Sequence, residues 1–228
     1  MEITTIDHLL EVLRNPKQSD FDGLAISIMR NFCIKKQEAD SFGKHRVRYR
    51  IVEMEFYLYN KETDDWPTYN RDCVAGQWFF HRSGVDIAFQ TLRDGNELVQ
   101  FGGILIRGLQ KFVDDEFVGY IGGSQRCSFE LFNNSEEFPE LCASKIDSEF
   151  AIYKNKRVRI KLDDEKQTEF RYFRSIPAAH WETPRAQIFT KKINGEYHVF
   201  KDLKSVKYED AILPDEGGMI EGTRVYPI

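Results

Sequence analysis

The sequence predicts a single α+β domain, with a mixed or antiparallel curved β-sheet as its core and helices flanking that sheet. The chain has 228 residues, of which 41% are hydrophobic and 14% are aromatic. This length suits one sizeable core, and the aromatic content favours strands over a helical bundle. We find no internal repeat, low-complexity tract or linker, so we expect one domain over residues 1–228.

Two N-terminal segments have the spacing of short amphipathic helices. The first carries four apolar residues that fall on one helical face: Ile6, Leu9, Leu10 and Leu13. Asn15-Pro16 ends this helix, because proline cannot continue it. The second helix is predicted over residues 21–32, where Leu24, Ile28 and Phe32 recur every fourth position.

The rest of the chain reads mainly as strands. Strands are predicted at residues 48–59, 77–81, 85–92 and 102–109, in short pieces within 147–162 and 169–177, and in a C-terminal hairpin around Asn194-Gly195. Residues 60–75 contain several breakers and predict a long loop, and Asp94-Gly95-Asn96 predicts a turn. The segment 124–132 predicts a third helix that begins after Gly122-Gly123.

Charge and cysteine content bound the class of protein. The chain holds 32 Lys and Arg against 37 Asp and Glu, which argues against tight non-specific DNA binding but not against a local basic face. The four cysteines are scattered without a CxxC pair, and the five histidines are isolated, so we expect reduced thiols and no metal site. Without a signal-like segment or a long apolar run, we expect a cytoplasmic monomer that does not bind membranes.

The predicted strand over residues 48–59 places two carboxylates on one face. Because successive side chains of a strand point to opposite faces, one face is apolar and the other mixes acids with aromatic rings. The apolar face carries Val52, Met54, Phe56 and Leu58, and the mixed face carries Ile51, Glu53, Glu55, Tyr57 and Tyr59. The mixed face is either a solvated surface or the wall of a pocket in which a carboxylate acts as a base.

Two further segments contain side chains that could complete such a pocket. Arg107 lies within the apolar run Ile104-Leu105-Ile106-Arg107-Gly108-Leu109, where burial of its charge requires an acidic partner. The segment Gly76-Gln77-Trp78-Phe79-Phe80-His81 alternates so that Trp78 and Phe80 share a face opposite His81. Arg107 is either in an ordinary salt bridge or the partner of a pocket carboxylate, and the aromatics are either core or pocket wall.

These segments, in this order, resemble those of the alkyladenine (3-methyladenine) DNA glycosylase family. Ile51-Val52-Glu53-Met54-Glu55-Phe56-Tyr57 resembles the family's IVExExY strand, and residues 104–109 resemble its LLRALEP strand. Residues 76–89 resemble its glycine- and aromatic-rich strand pair with a YG step. Gly122-Gly123-Ser124-Gln125-Arg126-Cys127 resembles its GPxKLC helix start, and Phe170-Arg171-Tyr172-Phe173-Arg174 its RFYVR strand. The resemblance extends over residues 21–181.

The resemblance implies a fold, a reaction and a set of site residues. Glu55 falls on the family's general base, which activates water, and Arg107 on the arginine that helps to hold this water. The implied substrate-binding residues are Tyr57, Phe80, Gln90 and Tyr69, the last near the family's pocket histidine. The implied partner is double-stranded DNA with a damaged purine in base-excision repair, without a metal or other cofactor. Either Glu53 or Glu55 could be the pocket carboxylate from strand alternation alone, and the family motif selects Glu55.

Three departures from the family leave other functions open. Ser83 stands where the family has a bulky tyrosine that wedges the duplex, and Trp66 or Tyr69 occupies the neighbourhood of the pocket histidine. The third departure is the acidic total charge. The chain could instead hydrolyse free nucleosides or nucleotides, or bind nucleic acid or nucleotides without catalysis.

Overall fold

Two helices lead into a sheet that is mostly antiparallel and open. The computed structural model describes residues 2–41, 43–63, 65, 67–133, 137–145, 152–155, 157, 171–174, 185–193, 196–202, 218–220 and 223–227. Within these ranges it contains three α-helices and fourteen strands that pair into one sheet. The prediction of an α+β domain with a largely antiparallel sheet is therefore confirmed.

Both N-terminal helices form where apolar spacing predicts them. Helix α1 (Ile6–Arg14) begins at Thr5, whose hydroxyl oxygen accepts a hydrogen bond from the His8 amide at 3.3 Å. A 3₁₀ turn (Gln18–Asp20) leads into α2 (Phe21–Asn31). The apolar faces of both helices are buried in the core. Phe32, predicted as the last residue of the second helix, is instead the first residue of a strand.

The strands follow one another along the chain with one helix between them. They are β1 (Phe32–Asp40), β2 (Gly43–Asn60), β3 (Trp78–His81), β4 (Gly84–Ala88), β5 (Leu92–Asp94), β6 (Glu97–Val113), β7 (Glu116–Gly122), β8 (Glu140–Ala143), β9 (Ile152–Asn155), β10 (Arg171–Arg174), β11 (Arg185–Ile193), β12 (Glu196–Asp202), β13 (Gly218–Ile220) and β14 (Thr223–Pro227). Helix α3 (Ser124–Phe132), which was predicted, lies between β7 and β8.

The sheet is built around the long pair β2 and β6. Its order is β11-β12-β13-β14-β9-β10-β2-β6-β4-β3, while β1 pairs with β2 and β8, and both β5 and β7 pair with β6. Among the described pairings, β12 with β13 is the parallel one. This arrangement puts β6 between β2 and β4, so side chains from all three strands can meet on one face.

A β-bulge in the β2–β6 pair corrects one prediction about the faces of β2. The pairing register shifts around Val52, between the pairs Ile51–Leu109 and Met54–Ile106. Ile51, predicted on the same face as Glu55, therefore packs into the same hydrophobic core cluster as Met54 and Phe56. The two successive shifts leave two residues on each strand between these pairs, so the side chains change face at this irregularity. The predicted assignment of alternating side chains to the two faces of β2 is therefore correct only from Glu53 onward.

Gly108 allows the two strands to approach at this bulge. A Cβ atom at Gly108 would lie 3.0 Å from the Cβ atom of Glu53 and 3.0 Å from Cγ2 of Val52. Such contacts are tighter than most contacts of a Cβ atom, so a larger residue would require Glu53 and Val52 to shift. The glycine in the Arg107-Gly108 step thus helps to set the position of Arg107 relative to β2.

The remaining predictions for the sheet have mixed outcomes. Strands β1, β7, β8, β13 and β14 were not predicted, and β6 is much longer than the predicted 102–109. The C-terminal hairpin is confirmed by the Ile193–Glu196 pair, although its turn residues 194 and 195 lie outside the described residues. Of the strands predicted within 147–162 and 169–177, the structure describes β9 and β10.

Candidate active site

One row of paired residues crosses four strands and defines the candidate site. Glu55 on β2 and Asp86 on β4 both pair with Leu105 on β6, and Phe79 on β3 pairs with Asp86. Residues directly opposite each other on neighbouring strands share a face of the sheet. Glu55 and Asp86 thus lie on the same face, with Cα atoms about 10 Å apart because two strand spacings separate them.

The first cluster on this face joins Arg107 to two carboxylates. Nε of Arg107 lies 3.1 Å from Oε1 of Glu53 and 3.4 Å from Oε1 of Glu55. Glu55 is 0% exposed and Glu53 is 4% exposed, whereas the Arg107 side chain is 15% exposed. Burial opposes the charge of Arg107, but the two carboxylates raise the pKa of its guanidinium above the ordinary value. The acid and the guanidinium predicted to meet are brought together.

Tyr57 completes the surroundings of the Glu55 carboxylate. Its hydroxyl donates a hydrogen bond to Oε2 of Glu55 at 2.8 Å. Burial and the charge of Glu55 raise the pKa of the Tyr57 phenol far above its ordinary value, so the hydroxyl remains a neutral donor. Glu55 is thus oriented from two sides, by a phenol and by a guanidinium.

A second arginine, Arg157, covers the ring of Tyr57. The guanidinium carbon of Arg157 lies 4.6 Å from the ring centroid, which is a cation–π arrangement. Two nitrogens of Arg157 bind the two carboxylate oxygens of Asp65 at 2.7 and 2.8 Å. Sequence reasoning missed Arg157 and Asp65, because nothing in their separate local patterns links a loop acid to an arginine so distant in the chain.

A second buried cluster lies across Leu105 from the first. Nη1 of Arg71 lies 2.5 Å from Oδ2 of Asp86, and Nε2 of His81 lies 2.9 Å from Oδ1 of the same carboxylate. The Ser83 amide donates to Nδ1 of His81 at 3.3 Å, which assigns the proton to Nε2. The guanidinium of Arg71 also stacks on Phe79, with its carbon 4.1 Å from the ring centroid. Both ring nitrogens of His81 therefore have hydrogen-bond partners within the cluster.

Gly103 makes room for the second cluster. A Cβ atom at Gly103 would lie 2.7 Å from Nη1 of Arg71 and 2.9 Å from the carbonyl oxygen of Ile87. The Ile87 carbonyl belongs to the strand backbone, so it cannot move aside without disturbing the β4–β6 pairing. Gly103 therefore allows Arg71 to lie directly over β6.

We expect Gly103→Ala to destabilise the protein by about 1–3 kcal/mol, the usual cost of overpacking a well-packed interior. The added methyl group would displace Arg71 from Asp86 or separate β4 from β6. Urea unfolding followed by tryptophan fluorescence measures this change. An unfolding midpoint equal to that of the wild type would show that the space over Gly103 is not needed.

The other predicted site residues lie in different places. The ring of Tyr69 packs on His81, with centroids 4.6 Å apart, and its hydroxyl lies 3.2 Å from Oγ of Ser83, so Tyr69 belongs to the second cluster. Phe80 pairs with Val85 and is 50% exposed on the face opposite Phe79 and Asp86. The structure does not bring Phe80 to Glu55, and Phe79 is the aromatic residue of β3 that shares the face of Glu55.

Gln90 is also not brought to Glu55. Its side-chain amide donates to the carbonyl oxygen of Thr91 at 3.2 Å and accepts from the Ala75 amide at 3.3 Å. Its backbone amide donates to the Leu13 carbonyl oxygen at 2.9 Å, which ties this loop to the end of α1. These contacts give Gln90 a role in holding the loop after β4.

Two other kinds of feature are absent from the part of the chain that the structure describes. Within it, no group of three or more His, Cys, Asp or Glu side chains is arranged to hold a metal ion. No described helix has the length and apolar composition needed to cross a membrane. The side chains of the two clusters on this face supply carboxylates, guanidiniums, phenols and one imidazole.

The arrangement suits reactions in which a carboxylate accepts a proton beside a cation. Glu55 offers a desolvated acceptor, and Arg107 places positive charge at its edge. Arginine planes on Tyr57 and Phe79 border the same face.

No protein-family model matches the chain, and no curated protein matches it.

Proposed function

We propose that this protein is an N-glycosylase with an alkyladenine DNA glycosylase-like fold. It would hydrolyse the N-glycosidic bond of alkylated or deaminated purines in duplex DNA, as in base-excision repair. The observation that carries this proposal is the contact between the buried Glu55 carboxylate and Arg107 at 3.4 Å, beside the Tyr57 ring. Two residues 52 positions apart in the chain thus meet on one face, as the resemblance to that family requires.

Glu55 acts as the general base in the proposed reaction. The N-glycosidic bond breaks through a state with positive charge on the sugar, and a nearby carboxylate both stabilises this charge and takes a proton from the attacking water. Arg107 and Tyr57 hold the two oxygens of Glu55, and Glu53 holds Arg107 through its Nε atom. Arg107 is the most exposed member of this cluster, so water and substrate approach beside it.

Planar groups around the cluster support recognition of a purine. Bases stack on aromatic rings and on guanidinium planes alike. The face carries two such pairs, Tyr57 with Arg157 and Phe79 with Arg71. Stacking is tolerant of the identity of the base, which agrees with a substrate range that covers several damaged purines.

A hydrolase of free nucleosides is the second candidate, and one observation favours it. Ser83, at the position of the family's wedge residue, is small, and its hydroxyl lies 3.2 Å from the hydroxyl of Tyr69. A base-flipping enzyme usually needs a bulky side chain to fill the gap left by the extruded nucleotide. A small substrate that enters without a duplex needs no such wedge.

Release of free base from three substrate classes separates these functions. The substrates are a duplex with one alkylated or deaminated purine, the same strand alone, and the corresponding free nucleosides. We expect single-turnover release from the duplex, whereas release from nucleosides alone would establish the second candidate. Absence of release from every substrate, together with binding of nucleic acid or nucleotides, would show a non-catalytic binding protein.

A further inference from the structure

Two cysteines lie directly opposite each other on neighbouring strands. Cys33 on β1 pairs with Cys142 on the antiparallel strand β8. Both are free thiols; Cys33 is 1% exposed, and Cys142 is partly exposed. Along the sequence these two cysteines are far apart, with 108 residues of chain between them.

The two side chains lie on the same side of the sheet. Phe32 and Ile34 pack in the hydrophobic core cluster, and Leu141, opposite Ile34, packs against that cluster. Since side chains alternate along each strand, Cys33 and Cys142 point together to the other side. Lys35 and Glu140 are the next pair on that side. Burial and the charge of Glu140 raise the pKa of the Cys142 thiol, whereas the charge of Lys35 lowers it.

The backbone geometry at this pair allows a disulfide, although a strained one. The Ser144 amide donates to the Asn31 carbonyl oxygen at 2.7 Å, so Asn31 and Ser144 form a hydrogen-bonded pair. Such pairs recur at every second position of an antiparallel ladder, and Cys33–Cys142 is therefore also of this type. Residues of such pairs have Cα atoms about 5.5 Å apart. Disulfides span Cα separations of roughly 4.4–6.8 Å, but they bring the Cβ atoms to about 3.5–4.5 Å. Cβ atoms of hydrogen-bonded pairs start farther apart, at about 5.5 Å, so a disulfide here would be strained and readily reduced.

We propose that Cys33 and Cys142 form a redox-sensitive thiol pair, which small disulfides such as oxidised glutathione convert to a cross-strand disulfide. The Cys142 thiolate, the more accessible of the two, attacks one sulfur of the oxidant and releases one glutathione thiolate. The Cys33 thiolate then attacks the sulfur of Cys142 and releases the second glutathione. Two protein thiols are oxidised, and one glutathione disulfide is reduced to two thiols.

The crosslink would fasten the segment around β8 to the sheet. Neighbouring residues of this segment already contact distant parts of the fold. The Pro139 carbonyl oxygen accepts a hydrogen bond from Nε1 of Trp78 at 2.9 Å, and Ser144 accepts hydrogen bonds from the guanidinium of Arg50. A disulfide that closes so long a loop restricts the unfolded chain, so oxidation raises the thermal unfolding midpoint.

The test is oxidation of the folded protein by glutathione disulfide, followed by thiol counting and peptide mapping. Burial and the charge of Glu140 raise the pKa of the Cys142 thiol, so the reaction is run at about pH 8.5 to supply thiolate. We expect the four thiols to fall to two, with one disulfide that joins the Cys33 and Cys142 peptides. Dithiothreitol should restore all four thiols.

Matched variants separate the proposed pair from the other cysteines. Cys33→Ser should stop the reaction at a mixed disulfide on Cys142, because the second thiol is missing. The double variant Cys73→Ser and Cys127→Ala should still form the crosslink. The proposal is overturned if the wild type retains four thiols, accumulates glutathione on Cys142, or joins a different pair of cysteines.

Discussion

Glu55→Gln should lower the single-turnover rate of base release by about 100-fold to 10,000-fold, the range that a positioned general base contributes. The substitution keeps the size of the side chain but removes its ability to accept a proton and to stabilise positive charge on the sugar. Arg107 keeps an ion pair with Glu53 at 3.1 Å, so the surrounding cluster retains one counter-charge. Quenched-flow or manual single-turnover assays on the preferred substrate measure the effect.

Two other glutamates supply the controls for this experiment. Glu53→Gln weakens the support of Arg107 but leaves Glu55 in place, so we expect a smaller loss of rate than for Glu55→Gln. Glu116→Gln changes an exposed acid at the start of β7 and should leave the rate unchanged. Equal rates for the wild type and Glu55→Gln would remove Glu55 from the mechanism, and a larger loss in Glu53→Gln would transfer the role of base to Glu53.

Asp86→Ala should destabilise the fold by about 3–5 kcal/mol, because it leaves a buried guanidinium without its counter-charge. The Arg71 and Asp86 side chains are each 1% exposed, and Asp86 also binds His81 at 2.9 Å. Removal of this carboxylate therefore leaves two buried groups, the Arg71 guanidinium and the His81 ring, without their acidic partner. The free energy of unfolding in urea measures the loss, which is a large fraction of the stability of an ordinary domain.

An exposed pair of the same residue types is the control for Asp86→Ala. Arg93 and Asp72 lie 2.7 Å apart, yet both side chains are substantially exposed to solvent. Asp72→Ala should leave the unfolding midpoint nearly unchanged, since water screens exposed ion pairs and replaces them. If the two alanine variants unfolded at the same urea concentration, burial of the Arg71–Asp86 pair would not be stabilising the fold.

Much of the local structure follows from short-range patterns. Apolar spacing and the Asn15-Pro16 stop predict α1, and glycine followed by polar residues predicts the start of α3. Strands β1 and β7 were missed for a physical reason. β1 carries several charged residues and gains its stability from pairing with β2 and β8, and the turn before β7 relies on positive φ angles at Asp114 and Asp115. Partners distant in sequence decide such elements.

The contact between Glu55 and Arg107 was predicted from the family resemblance, which selected Glu55 over Glu53. Alternation along β2 placed Glu53 and Glu55 on one face, and the cost of burying Arg107 required an acid beside it. The bulge at Val52 was not predictable, because it depends on the register between β2 and β6. Nor did the pattern distinguish Phe79 from Phe80, since the face that each ring occupies depends on the pairing of β3 with β4.

By itself, the sequence determined the α+β class, the N-terminal helices, the long central strand and a carboxylate-bearing face on it, since all of these depend on the periodicity of neighbouring residues. Tertiary structure alone decided which of the charged side chains and cysteines meet. Arg71 with Asp86, Arg157 with Asp65, and Cys33 with Cys142 are distant along the chain and share no local pattern. Their contacts arise from strand order and register, which many weak interactions across the whole sheet set together.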